Sequence, residues 1–154
     1  MSGGASDTIH ASALVIGEGA IILRGEAGSG KTRLALALIE RAQRAGRFAR
    51  LVADDRVRIR PRNGRLIVSA PETILGHAEM RGAGIATDLP FISAARVRLV
   101  VDLDPAAPRH PPDGAGHVRL CAIRVAHLRL RREDAVHPIE LIAGRDYSEN
   151  AFLE

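Results

Sequence analysis

Gly25-Glu26-Ala27-Gly28-Ser29-Gly30-Lys31-Thr32 fits the spacing G-x-x-x-x-G-K-[ST] at every fixed position, the pattern of a phosphate-binding loop. Its flanks agree with that reading. Ala20-Ile21-Ile22-Leu23 leads in as a buried strand, and Leu34, Leu36, Leu38 and Ile39 follow in a helix-forming segment. Glycines let backbone N–H groups turn inward around phosphate oxygens, while the next helix points its positive end at them. In such a loop Gly25, Glu26, Ala27, Gly28, Ser29 and Gly30 form the cradle, Lys31 reaches the β- and γ-phosphates, and the Thr32 hydroxyl ligates Mg²⁺. Of the 22 basic residues 21 are arginine, and the single lysine is Lys31. A compact ammonium fits inside a phosphate loop where a planar guanidinium does not. A glycine-rich turn ending in Lys-Thr by chance would explain neither the flanks nor the place of that lysine.

Length suits one domain spanning residues 1–154, with a core that needs no metal or disulfide staple. Cys121, the one cysteine, cannot form an internal disulfide, which points to a reducing compartment. Nothing beside it marks an activated thiol, so it reads as a buried structural group. No apolar run is long enough to span a membrane, and residues 1–7 lack the features of a signal peptide, so a cytoplasmic location without a membrane partner is expected. The charge of +4 and pI near 10.4 would suit a nucleic-acid binder. Yet 18 acidic residues are interspersed and an aromatic content of 3% leaves few stacking platforms, so no nucleic-acid partner is expected. Arg56, Arg58, Arg60 and Arg62 alternate with Val57, Ile59 and Pro61, which sets the arginines on one strand face; that face is either simply solvated or a surface for an anionic partner.

Taken in order, residues 1–8 are small and polar and read as frayed. Residues 9–16 read as a first strand, turned by Gly17-Glu18-Gly19 into the strand before the loop, which brings His10 near the loop. The helix is expected from Lys31 to Ala45, with Leu34, Leu38 and Ala42 inward and Gly46 as its stop. Residues 48–53 form an apolar strand ending in Asp54-Asp55, the arrangement in which a carboxylate holds Mg²⁺ beside a phosphate loop. Adjacent carboxylates repel, so the pair implies a metal or a general base; on a loop it would be only a turn or cap. Asn63-Gly64 centres a hairpin over residues 56–70. Residues 71–77 read as a helical turn leading to Glu79 and Arg81, which share a face if extended, as a metal ligand and a charge-balancing group or as a plain ion pair. Residues 95–103 form another strand, and 104–116 a mobile proline-rich loop flanked by His110 and His117, whose surroundings lack zinc-type ligands. Residues 118–125 and 127–130 read as strands, and 137–142 as the start of one more.

Four stretches together resemble the catalytic domain of HPr kinase/phosphorylase: His10, the loop from Gly25 to Thr32, Leu51-Val52-Ala53-Asp54-Asp55-Arg56-Val57, and Glu79-Met80-Arg81-Gly82-Ala83-Gly84-Ile85, which is similar to the family signature E-I-R-G-x-G-I. The resemblance covers roughly residues 9 to 103. It implies an α/β fold of the P-loop kinase class akin to phosphoenolpyruvate carboxykinase, with a strand-rich core and one main helix after the loop. It also implies an ATP- and Mg²⁺-dependent serine kinase whose partner is HPr or an HPr-like phosphocarrier protein, regulating the phosphotransferase system. By the same resemblance Asp54 is the base on the target serine, Asp55 with Thr32 and Glu79 surrounds Mg²⁺, and His10, Lys31 and Arg81 lie near the transferred phosphate. Full-length members carry a separate N-terminal domain while this sequence starts almost at the kinase domain, so a truncated form is expected, and residues 41–48 lengthen the link from helix to Asp54. The resemblance carries over neither the phosphorylase activity nor a hexamer; a homo-oligomer is left open. The alternatives are a kinase of the same fold acting on another protein or a small hydroxylated metabolite, and a nucleotide-responsive binding module without catalysis.

Overall fold

Strand-period and helix-period stretches alternate after Asp7, and they fold into one nine-stranded mixed sheet that carries two α-helices. The computed structural model describes residues 6–71, 91–109 and 115–144, and the counts here concern those residues. The strands are β1 (Asp7–Ile9), β2 (Ala11–Ile16), β3 (Gly19–Arg24), β4 (Ala49–Ala53), β5 (Val57–Arg62), β6 (Arg65–Ser69), β7 (Ala94–Leu103), β8 (Gly116–Leu120) and β9 (Ile123–Leu130). Helix α1 (Lys31–Arg44) follows the loop, and a 3₁₀ turn, Arg132–Asp134, leads into α2 (Val136–Gly144). The order is β1-β5-β6-β7-β3-β2-β4, with β9 also pairing β7 and β8 pairing β9. Only β3 with β7 and β7 with β9 pair in parallel; every other ladder is antiparallel.

Two apolar clusters hold these layers. On one face, Leu34, Leu38 and Ile39 of α1 and Ile139 and Ile142 of α2 pack on Leu14, Ile21, Leu23, Leu99, Val101 and Leu128. On the other face, Ile22, Val52, Val100 and Val125 meet Val57, Ile59, Leu66 and Val68, where the β1-β5-β6 arm turns over the rest of the sheet. Spacing of i, i+4, i+5 and i+8 gives α1 its inner stripe of Leu34, Leu38, Ile39 and Ala42. The helix stops where Gly46 takes φ +75°, with Gly46 N donating to Gln43 O at 3.0 Å and Arg47 N to Ala42 O at 2.9 Å, a Schellman closure.

Several expectations need correction. Asp7 and Thr8 are not frayed: they pair with Ile59 and Arg58 as part of β1, and the first strand breaks at His10. Residues 118–125 are not one strand, because Cys121 and Ala122 take φ +50° and +62° and turn β8 back into β9. Cys121 is accordingly partly rather than fully buried; this burial, with Asp7 adding to it, pushes its thiol up. Residues 137–142 are helix, not strand: Pro138 sits in the first turn, where no N–H is missed, and Ile139 and Ile142 face α1. Residues 104–109 are tied down by Asp104 N to Leu130 O at 2.9 Å, Arg129 Nε to Asp104 Oδ2 at 2.7 Å and Arg131 Nε to Ala107 O at 2.6 Å. The proposed helical turn at 71–77 lies largely, and Glu79, Arg81 and His110 entirely, outside the described residues.

Candidate active site

Strand direction assembles the site. β3, β4, β7 and β9 all end at one edge of the sheet, and antiparallel β2 begins there, since Ala11 pairs with Arg24 and Ala13 with Ala53. The glycine-rich loop, Asp54-Asp55, His10 and Ser12 therefore meet at that edge. Between them lies a cleft of about 620 Å³ lined by His10, Ser12, residues 27–33, Asp55 and Arg132.

Within the loop the backbone is wound tightly. Gly28 and Gly30 take φ +82° and +92°, and a Cβ at Gly25 would sit 2.7 Å from Ser29 Oγ and 3.2 Å from Leu103 O, so strand β7 leaves no room for a side chain there. Ser29 N donates to Glu26 O at 3.0 Å. Lys31 is only 7% exposed, and its Nζ donates to Gly25 O at 2.8 Å and Glu26 O at 3.1 Å, which pins the ammonium inside the loop. Ser29 Oγ is buried with no partner among the described residues, a donor held in reserve within the cradle. Helix α1 starts at Lys31 and aims its positive end into the cleft.

The two aspartates face different neighbours. Asp54 accepts from Ser12 Oγ at 2.6 Å and from Thr32 Oγ1, 2.9 Å to Oδ1 and 3.0 Å to Oδ2. Asp55 holds φ +72°, a conformation few side chains adopt, and its Oδ1 lies 3.3 Å from His10 Nδ1, with both side chains about half exposed. Ser12, fully buried, is also 3.5 Å from Asp55 N. Hence Thr32 and Asp54 form one oxygen-rich corner, and Asp55 with His10 forms another that opens to the cleft.

Sequence reasoning missed Ser12 and Arg132. The signal for Ser12 was present: a polar residue inside the apolar run of β2, two residues from His10. Arg132 carried none, being one of 21 arginines; a Cβ built on Gly30 would lie 2.9 Å from its Nε. A further group sits beneath the loop, where Arg24 Nε and Nη2 donate to Asp102 at 2.7 and 2.8 Å and His127 Nε2 lies 2.7 Å from Asp102 Oδ2. Burial pushes the Asp102 carboxyl up, but hydrogen bonds and charges from Arg24 and His127 outweigh it and hold it below the usual carboxylate range. Among the residues expected at the site, His10, the loop through Thr32, Asp54 and Asp55 are brought together.

The chain is similar to several known proteins. The family model of the HPr Serine kinase C-terminal domain matches residues 4–111. HPr kinase/phosphorylase from Geobacillus sp. strain WCH70 is 38% identical over 103 residues, covering 62% of this chain and 31% of the relative. The Clostridium tetani protein of the same name is 46% identical over 72 residues, covering 47% and 21%. The chain thus spans about a fifth to a third of the length of the curated relatives it matches. Among solved structures, the HPr(Ser) kinase/phosphatase from Coxiella burnetii superposes with a TM-score of 0.63 at 26% identity, covering 90% of this chain and 94% of that one. The fold is of the P-loop kinase type, with a strand-rich α/β core.

Proposed function

This chain belongs to the HPr serine kinase C-terminal domain family, and on that premise we propose that it is an ATP-dependent kinase that phosphorylates a serine of HPr or an HPr-like phosphocarrier protein. The observation that carries the reading is the convergence of Lys31, Thr32, Asp55 and His10 on one cleft, with Asp54 bonded to Thr32 at its side. Such a set suits phosphoryl transfer to a hydroxyl, which needs a held phosphate chain, neutralised charge and one base within reach.

The residues present fit the groups that such a kinase requires. A cleft of about 620 Å³ lies within the ordinary range for small-molecule sites. The wound loop, the start of α1 and the unpartnered Ser29 hydroxyl are donors for an anion. Thr32 Oγ1 and the Asp54 carboxylate are hard oxygen donors suited to Mg²⁺. When bound, Mg²⁺ supplies charge neutralisation on the β- and γ-phosphates. Lys31 adds the fixed positive charge of the loop. Asp55, beside His10 and open to the cleft, is placed to accept the proton of an incoming serine hydroxyl. This exchanges the roles the resemblance gave the two aspartates, since Asp54 already spends both oxygens on Thr32 and one of them on Ser12. Glu79 and Arg81 enter as a further metal ligand and a charge-balancing group.

Incubation with labelled ATP, comparing HPr with HPr whose target serine is alanine, tests the acceptor: equal labelling of both sinks it. Asp55→Asn is expected to abolish turnover while sparing nucleotide binding, whereas Asp54→Asn weakens binding of the Mg²⁺ nucleotide. Unchanged Mg²⁺-nucleotide binding in Asp54→Asn, together with retained turnover in Asp55→Asn, would restore the opposite assignment.

A further inference from the structure

Arg132 leaves the end of β9 and lays its side chain across the glycine-rich loop. Its Cγ, Cδ and Nε lie 3.4, 3.1 and 2.9 Å from where a Cβ on Gly30 would stand, and it lines the cleft. Neighbouring arginines are spoken for: Arg24 by Asp102, Arg129 by Asp104, Arg131 by the Ala107 carbonyl. Among the described residues, no hydrogen bond or ion pair engages the Arg132 guanidinium. A partly buried guanidinium without an anion, held at the rim of an anion cradle, is a site waiting for one.

We infer that Arg132 is a second phosphate-binding cation of the cleft, which grips the phosphate chain from outside the loop while Lys31 acts from within. The inference rests on the nucleotide reading above and names a residue that reading does not need. Lys31 is buried and bonded to two loop carbonyls, so it offers a fixed charge with little reach. Arg132 offers a planar fork matched to phosphate oxygens. Its backbone is anchored on both sides, by Asp104 N to Leu130 O at 2.9 Å and Asp134 N to Arg131 O at 3.1 Å, so little ordering is left to be done on binding. Gly30 fits this role as well: any side chain there would displace the guanidinium.

Calorimetric titration of the wild type, Arg132→Met and Arg132→Gln with Mg²⁺-ATP, Mg²⁺-pyrophosphate and adenosine tests the inference. Arg132→Met keeps the stem packed on Gly30 and removes only the fork. Affinity for ATP and for pyrophosphate should fall about ten- to a hundred-fold in both variants. Adenosine affinity should not change, and the salt dependence of pyrophosphate binding should become shallower. Should Arg132→Gln melt at a lower temperature, Arg132→Met decides. Pyrophosphate binding within two-fold of wild type in Arg132→Met overturns the inference. Lys31→Ala separates the two readings: if it loses pyrophosphate while Arg132→Met does not, only the role of Arg132 fails, and if wild type binds neither ATP nor pyrophosphate, the nucleotide reading fails with it.

Discussion

Replacing Ser12 by alanine removes one hydroxyl from the centre of the site and tests whether the aspartates are held from behind. Ser12 is fully buried and donates to Asp54 Oδ1 at 2.6 Å. Hydrogen bonds to charged groups contribute roughly 1.5–3 kcal/mol net. Asp54 keeps the Thr32 hydroxyl at 2.9 and 3.0 Å, and Asp55 N at 3.5 Å is only a weak partner of Ser12, so the low end applies. The expected loss is about 1.5 kcal/mol in urea unfolding with an unchanged m-value. At about 2–4 °C per kcal/mol for a chain of this size, the melting temperature falls by roughly 3–6 °C. Because Asp54 loses a restraint, turnover should fall about tenfold, a barrier change of the same order. A double-mutant cycle with Asp54→Asn isolates the contact, and a coupling of at least about 0.5 kcal/mol is expected. If the two losses instead add within about 0.3 kcal/mol, the hydroxyl does not position Asp54 and the reasoning fails.

Beneath the loop, Asp102 has a depressed pKa, so its contribution is present above the unfolded carboxylate value and is lost as pH falls through the folded one. Thermal melts from pH 5 to 3 should therefore show wild type losing its advantage over Asp102→Asn; a constant gap would refute the ion-pair account. Leu38→Ala opens a cavity between α1 and the sheet and should cost about 2–5 kcal/mol in denaturant unfolding. Gly25→Ala forces a Cβ to within 2.7 Å of Ser29 Oγ, and since the nearby Leu103 carbonyl cannot move, nucleotide affinity measured by titration should drop at least tenfold, with the hairpin Asn63-Gly64 and its strand pairing untouched in hydrogen exchange.

Local chemistry that decides a conformation by itself was legible in the sequence. The glycine-rich loop between strand and helix, the Gly46 stop and the Asn63-Gly64 hairpin all stand where their residues placed them. What escaped was decided by partners far along the chain. Asp7 and Thr8 are polar and short, and become a strand only because β5 offers an edge. Between Val118 and Val125 the alternation changes phase across the apolar run Leu120-Cys121-Ala122-Ile123, but the turn at Cys121-Ala122 carries neither glycine nor asparagine to announce it. In residues 137–142 a strand was expected, yet Ile139, Ile142 and Ala143 repeat at helical spacing and bury against α1. At the site, Asp54 and Asp55 were found but their division of labour was not, because it depends on the left-handed twist of Asp55 and on Ser12 in another strand.

The direction of the strands explains why residues so far apart in sequence serve one cleft. In an open α/β sheet, ligands lie beyond the carboxyl ends of the strands. Here β3 ends at the loop, β4 at Asp54-Asp55, and β9 two residues before Arg132, all at the same edge. Antiparallel β2 would normally contribute nothing there but a turn. Because it starts rather than ends at that edge, it supplies Ser12 from its second residue and His10 from just before its start, directly beside β3 and β4. Mixing strand directions thus lets a small sheet deliver a fixed cation, two separately held carboxylates, an imidazole and a guanidinium around one volume. It also explains why Asp54 and Asp55, adjacent in sequence, need not share a task. The chain leaves β4 between β2 on one side and the loop's helix on the other, so one carboxylate turns to Thr32 and the next, twisted to φ +72°, turns to His10.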